Sequence, residues 1–168
     1  ITIKWERKDR TGTKKKRKIL LSVLISVIVT LFFCSRYTIV YVSGNSMRPT
    51  LEDGNLVIVD RWQVPHNGDI VVANPNEMGG SIIKRIVAEG GSAVAMEKGR
   101  LIRDRESIHE DYLSQENIDQ KETWEEQEGP LGMYFLMGDN RENSVDSRCF
   151  GSIAEEAIKG TVVFILFQ

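Results

Sequence analysis

The stretch TIVYVSGNSMRPTLEDGNLVIVD, Thr38 to Asp60, holds two short runs rich in Val and Ile, separated by a polar bend with Gly44, Asn45, Pro49, Asp53 and Gly54. Runs this short with turn formers between them read as strands joined by a loop, not as helix. The pattern repeats downstream. DIVVAN (Asp69–Asn74), SIIKRIVAE (Ser81–Glu89) and GTVVFILF (Gly160–Phe167) are further Val/Ile runs, and Lys98-Gly99 marks a hairpin candidate. No stretch after Thr38 joins ten or more residues to a clean 3.6 period, and Ser114 to Gly129 reads as an irregular or partly helical acidic insertion. The expected fold is mainly β: an antiparallel, barrel-like sheet domain with few helices.

Upstream, the chain changes character. Ile19 to Cys34 carries no charge, and with SRYTIVYV the apolar stretch reaches Val42, broken only by Arg36. A bilayer core of about 30 Å needs about 20 such residues, so Arg36 is expected to snorkel to an interface beside Tyr37 and Tyr41. Nine of the first eighteen residues are Lys or Arg, although the 168-residue chain has net charge −2. Such an arm suits nucleic acid, but its place ahead of an apolar segment points to the positive-inside rule and to anionic lipid heads. The expected organisation is a basic cytoplasmic segment over 1–18, a transmembrane anchor over 19–42 and an extracytoplasmic domain over 43–168, with an acidic insertion near 106–128. The exit Phe32-Phe33-Cys34-Ser35-Arg36 offers no small-x-small cleavage site, which argues for a retained anchor. Cys34 and Cys149 are the only cysteines, with no CxxC, and His66 and His109 stand alone on loop-like stretches; no metal site or cofactor is expected.

Ser46 sits on the bend, so the question is what takes its proton, since no His-Asp pair follows in a triad arrangement. In SIIKRIV, alternation puts Ile82, Lys84 and Ile86 on one face. A lysine so flanked either snorkels past the isoleucines or is buried by them. Burial lowers an ammonium pKa by up to about 3–5 units, and a neutral lysine can deprotonate a serine. A third stretch, MGDNRENSVDSRCFG (Met137–Gly151), holds Ser144, a hydroxyl of the type that would aim such an amine, with Asp146 and Arg148 able to brace it. The competing reading is a polar loop with surface ion pairs worth about 0–1 kcal/mol each.

Taken together, SGNSMRPTLEDGN, GDIVV, IIKRIVAEGG and GDNRENSVDSRCFG resemble, in order and spacing, the boxes of the bacterial type I signal peptidases, in their compact Gram-positive-like form. The resemblance runs from about Tyr37 to Phe167. It implies Ser46 as nucleophile, Lys84 as general base and Ser144 as the hydroxyl orienting the lysine. Asp146 and Arg148 match a structural pair, and Asp139 and Arg141 match supporting positions. Some relatives place a serine oxyanion donor two residues before the nucleophile. Here Gly44 stands there, so the oxyanion would fall to the backbone N–H of Ser46 and of Gly44 or Asn45. Val42, Met47, Ile83 and Ile86 are the implied substrate-binding positions. The implied activity is removal of signal peptides from secretory precursors at small −1 and −3 residues, with precursors and membrane lipids as partners and no nucleic acid. The alternative is a signal-peptidase-like assembly factor for pili or surface proteins, or a non-enzymatic chaperone; a chaperone is expected to lose Ser46 or Lys84, and both are present.

Overall fold

The computed structural model describes residues 10–75, 79–114 and 122–167. The chain forms two compact units that meet in sequence at Arg36 and Tyr37. The first holds α1 (Arg10–Arg36). Its stretch from Lys15 to Arg36 is long and apolar enough to cross a membrane, about 33 Å at 1.5 Å per residue. Its apolar side chains face outward all round, from Leu20 at 70% exposure to Phe33 at 55%. A helix apolar on every side is suited to lipid rather than to water. The first nine residues, with Lys4, Arg7 and Lys8 of the basic arm, lie outside the described residues.

The expected anchor end at Val42 is corrected. The helix stops at Arg36, and Tyr37–Tyr41 forms strand β1, paired antiparallel with β2 (Leu56–Asp60) from Tyr37 opposite Asp60 to Tyr41 opposite Leu56. Composition alone merges the two, because helix and strand are equally apolar there. Pairing with β2 separates them.

The second unit is mainly antiparallel β, as expected. Its larger sheet adds β3 (Ile70–Ala73), β4 (Ile82–Glu89), β9 (Met133–Met137), β10 (Ile153–Ala154) and β11 (Ile158–Phe167), in the order β1-β2-β11-β3-β4-β9-β10. A smaller sheet has the order β7-β6-β5-β8, from β5 (Ala93–Glu97), β6 (Arg100–Arg103), β7 (Glu106–Ser107) and β8 (Trp124–Glu128). The Lys98-Gly99 hairpin joins β5 to β6 as the sequence predicts.

Strand β8 corrects the irregular or partly helical reading of Ser114–Gly129, of which residues 115–121 lie outside the described set. Glutamate disfavours strands, but WEEQE pairs with β5 and seats the Trp124 ring 5.8 Å from Phe135. Its glutamates face water on an edge strand, where charge discourages further pairing. Val87, Val94, Met96, Leu101, Phe135 and Met137 form one buried cluster contributed by strands of both sheets. Val42, Met47, Leu51, Val57, Val59 and Val72 form another beneath the bend after β1.

Two features of the larger sheet prepare the site. Among the described residues β1 is an edge strand, with β2 as its sole strand partner. β4 meets β9 only from Arg85 onward, so Ile82 to Lys84 pair on the β3 side alone. Among the described residues, both strands therefore lack a neighbouring strand on one side, and these sides line one cleft.

Candidate active site

The bend between β1 and β2 is closed at its neck by backbone hydrogen bonds, from Val42 N–H to the Asn55 carbonyl at 2.9 Å and from Gly54 N–H to the Val42 carbonyl at 3.0 Å. Gly44 turns the chain with φ +93°, in the left-handed region open to glycine. Immediately after Ser46, Met47 and Leu51 drop into the core at 2% and 0% exposure. Each buried side chain contributes about 1.5–3 kcal/mol toward holding the bend down. Ser46, between the exposed Asn45 and the buried Met47, stays half-buried at the cleft.

Lys84 approaches from β4. Its side chain is 4% exposed, and Nζ lies 2.6 Å from Ser46 Oγ and 3.1 Å from the Ile83 carbonyl. Of the two sequence alternatives, snorkelling or burial, the fold selects burial. Desolvation pushes the Lys84 pKa down; the nearby Asp146 and Asp139 charges pull it partly back, and Arg148 pushes down again.

The loop after β9 packs against this pair. Asn140 N–H donates to the Ser46 carbonyl at 3.0 Å, and its side-chain amide donates to the Asn45 carbonyl at 3.1 Å. Gly138 is the point of closest approach. A Cβ there would overlap the Ser144 hydroxyl and come within 2.5 Å of the Ser46 carbonyl oxygen. Ser144 Oγ is buried and without a hydrogen-bond partner. It lies near enough to Asp146 to favour that carboxylate, but outside hydrogen-bond geometry with it. The geometry thus brings Ser144 into the same layer as Ser46 through Gly138, without a bond to Lys84.

Asp146 is fully buried and caps the short helix α2 (Ser147–Phe150) by accepting from Arg148 N–H at 3.2 Å. It also accepts from the Gly138 N–H at 2.9 Å and from Arg148 Nε and Nη2, both at 2.8 Å. Burial alone would raise its pKa, but the bonds from Arg148 and Gly138 outweigh it and hold the carboxyl below its ordinary range. A carboxyl depressed in the folded state stabilises above its unfolded pKa, about 3.9, and that stability is lost as pH falls from there through the lower folded value. Melting temperature is therefore expected to drop below about pH 4, with a shallower drop in Asp146→Asn, as thermal unfolding followed across pH would record.

Asp139 joins the bend to β4. It accepts from Arg85 Nε at 2.9 Å and Nη2 at 2.6 Å, and from the Thr50 hydroxyl at 2.5 Å. Arg141 donates to the Gly138 carbonyl at 3.2 Å and pairs with Glu110. Sequence reading missed Arg85, Thr50 and Gly138. Arg85 carried a signal, being a charged residue in the middle of an apolar strand next to Lys84; Thr50 and Gly138 carried none beyond lying inside their motifs.

Of the implied substrate-binding positions, Val42, Met47 and Ile83 line a cleft of about 200 Å³ with Ser46, Lys84, Val72 and Ile82. Ile86 does not. It is 0% exposed and packs on Val71, Tyr134 and Leu136, because it lies beyond Arg85, where β9 covers the strand. The Gly44 N–H is also corrected as an oxyanion donor, since it is committed to Asp53 Oδ1 at 2.7 Å. Among the described residues, the N–H groups of Asn45 and Ser46 have no acceptor. No group of three or more His, Cys, Asp or Glu among the described residues could hold a metal ion.

Residues 14–167 match the family described as signal peptidase, peptidase S26. The chain belongs to that family. It is 36% identical to signal peptidase I U of Bacillus subtilis (strain 168), over 92% of this chain and 91% of the relative. It is 33% identical to a signal peptidase I of Bacillus amyloliquefaciens, over 96% and 89%, and 31% identical to the probable signal peptidase I-1 of a Synechocystis strain, over 92% and 82%. The crystal structure of a signal peptidase I from Enterococcus faecalis V583 superposes with TM-score 0.54 at 28% identity, covering 60% of this chain and 98% of that one. Membership of S26 makes this chain a serine endopeptidase, and the mainly antiparallel β fold agrees with the solved relative.

Proposed function

We propose that this protein is a membrane-bound peptidase that removes signal peptides from secretory precursors, with Ser46 as nucleophile and Lys84 as general base. The observation that carries the reading is the 2.6 Å contact between Lys84 Nζ and Ser46 Oγ at the floor of a cleft flanked by two unpaired strand edges. An extended precursor adds between β1 and the start of β4, its backbone pairing with both, and its −1 and −3 side chains meet Val42, Met47 and Ile83. Those walls leave room for small side chains.

Neutral Lys84 keeps one N–H on the Ile83 carbonyl and holds its amine 2.6 Å from the serine hydroxyl. It takes the Oγ proton as Oγ attacks the carbonyl carbon after the −1 residue. The oxyanion is met by the Ser46 and Asn45 N–H groups, both available on the bend. The Lys84 ammonium then protonates the leaving amine, and the C–N bond breaks to leave an ester on Ser46. A water gives its proton to Lys84 as it attacks the ester; the ammonium returns that proton to Ser46 Oγ as the ester C–O bond breaks, and the signal peptide leaves as a free acid. Ser144, Asp146 and Arg148 hold the loop against the pair, and Asp139 with Arg85 fixes the bend to β4. The helix of Lys15 to Arg36 anchors the enzyme in the membrane, with the basic arm cytoplasmic and the domain outside.

The test is cleavage of a precursor peptide by the full chain in detergent, read by mass spectrometry. Hydrolysis is expected after Ala at −1 in an Ala-x-Ala site, and Leu at −1 is expected to lower kcat/KM by roughly tenfold to a hundredfold. Failure to cleave any of several Ala-x-Ala precursors would remove the proposal in favour of an assembly factor.

A further inference from the structure

Three residues of the acidic stretch, Glu110, Tyr112 and Glu122, belong to no motif that carries the chemistry, yet they close around the loop behind the dyad. Glu110 takes Arg141 in a two-pronged pair, with Nη1 at 3.2 Å from one oxygen and Nη2 on the other. Both side chains are nearly inaccessible, at 6% and 2% exposure. The Tyr112 hydroxyl donates to Glu110, and its ring lies 3.8 Å from the Arg85 guanidinium. Glu122 makes a second fork onto Arg148 Nη1, at 3.1 and 3.2 Å. Arg148 in turn reaches the Arg141 carbonyl at 2.8 Å.

Three arginines thus have one partner near the dyad and another in the acidic stretch. Arg85 joins Asp139 to Tyr112, Arg141 joins the Gly138 carbonyl to Glu110, and Arg148 joins Asp146 to Glu122. A guanidinium has five N–H donors in a rigid fork, more than one carboxylate can satisfy, so a buried arginine needs a second acceptor or a ring face. Exposed ion pairs would add little. These are largely withdrawn from water, where losing one partner leaves an uncompensated charge.

We propose that Glu110, Tyr112 and Glu122 form a clamp that positions residues 138–148, making the acidic stretch a positioning element of the reaction. The inference rests on the reading of Ser46 and Lys84 as the reacting pair. The clamp residues act only through the three arginines, Gly138 and Asn140, which set the height of the Ser46 carbonyl and so the 2.6 Å contact to Lys84. The cleft walls belong to β1, the bend, β3 and β4, so a loosened clamp disturbs the chemical step more than substrate binding.

The experiment uses the full chain in detergent with Tyr112→Leu, Tyr112→Phe and Glu122→Gln, at a temperature where circular dichroism shows every variant folded. Tyr112→Leu and Glu122→Gln are expected to lower kcat on an Ala-x-Ala precursor peptide about tenfold, with KM changed less than about twofold. Amide hydrogen exchange is expected to quicken across residues 138–148 but not in β2 or β11. Tyr112→Phe keeps a ring against Arg85 and is expected to stay near wild type. Wild-type kcat in both Tyr112→Leu and Glu122→Gln, unchanged exchange in the loop, or a loss confined to KM would overturn the clamp. Cleavage retained by Ser46→Ala, with the loop still quickened in the clamp variants, would strike the dyad and with it the clamp's part in the reaction, leaving only its hold on residues 138–148.

Discussion

Ser46→Ala and Lys84→Met are each expected to lower precursor cleavage by about four orders of magnitude, with the double variant little worse than either single one. The reason is that, in the proposed mechanism, nucleophile and base act as one unit. Without Oγ there is nothing to acylate, and without Nζ the hydroxyl keeps its proton at neutral pH. The wild-type pH profile should carry the same signature. Burial holds the Lys84 pKa below that of an ordinary lysine, about 10.4. Activity therefore rises with pH as the amine loses its proton, through an apparent pKa beneath the free-lysine value. Stability separates lost chemistry from lost folding. A lysine whose folded pKa is depressed binds its proton more weakly when folded, which costs stability at every pH below the unfolded value. Lys84→Met removes that cost and is expected to melt no lower than wild type at pH 7. Unimpaired cleavage by either single variant would show that the proton goes elsewhere.

Gly138→Ala is expected to reduce kcat by on the order of a hundredfold and stability by about 1–3 kcal/mol, although it adds a single methyl to a residue that does not line the cleft. The methyl would occupy the space of the Ser144 hydroxyl and press on the Ser46 carbonyl oxygen at 2.5 Å. Neither neighbour is the free end of a long side chain. One is backbone of the nucleophile bend, and the other is a buried hydroxyl. Relief requires the bend and the loop to part, which lengthens the contact between Ser46 and Lys84. Precursor kinetics and thermal melting of Gly138→Ala check both effects, and wild-type kcat in this variant would mean that the loop yields without moving Ser46.

Much of this was legible along the chain, and the reasons are local. Val/Ile runs cut by Gly, Asn, Pro and Asp read as strands because pleated backbone and tight turns need those residue types, and the Lys98-Gly99 hairpin follows from the same logic. The charge-free stretch from Ile19 to Cys34 reads, for an equally local reason, as part of a helix apolar enough to cross a membrane. Ser46, Lys84 and the Met137–Gly151 loop could be singled out along the chain by their residue types, and the fold sets them side by side, with the roles proposed above. Three misreadings concern strand pairing. The apolar stretch to Val42 concealed a helix end at Arg36, and the glutamates of Trp124–Glu128 concealed a strand, because a strand is defined by its neighbour as well as by its own side chains. Ile86 was placed among the substrate-binding positions on the resemblance, whereas in the stretch where β4 pairs with β9 it is packed into the core on Val71, Tyr134 and Leu136.

By itself, the sequence determined the class of the molecule and the chemical types at its site: an apolar helix, a β domain, a serine on a bend, a lysine among isoleucines and a polar loop with paired charges. Only the tertiary structure decided which of those residues meet. It buried Lys84 and brought its amine to Ser46, committed the Gly44 N–H to Asp53, and turned Glu110 and Glu122 inward onto arginines. These are contacts between segments up to tens of residues apart, and their energies depend on water being excluded from the space between them. Exclusion of water is a property of the packed sheets, and no stretch of chain holds it alone.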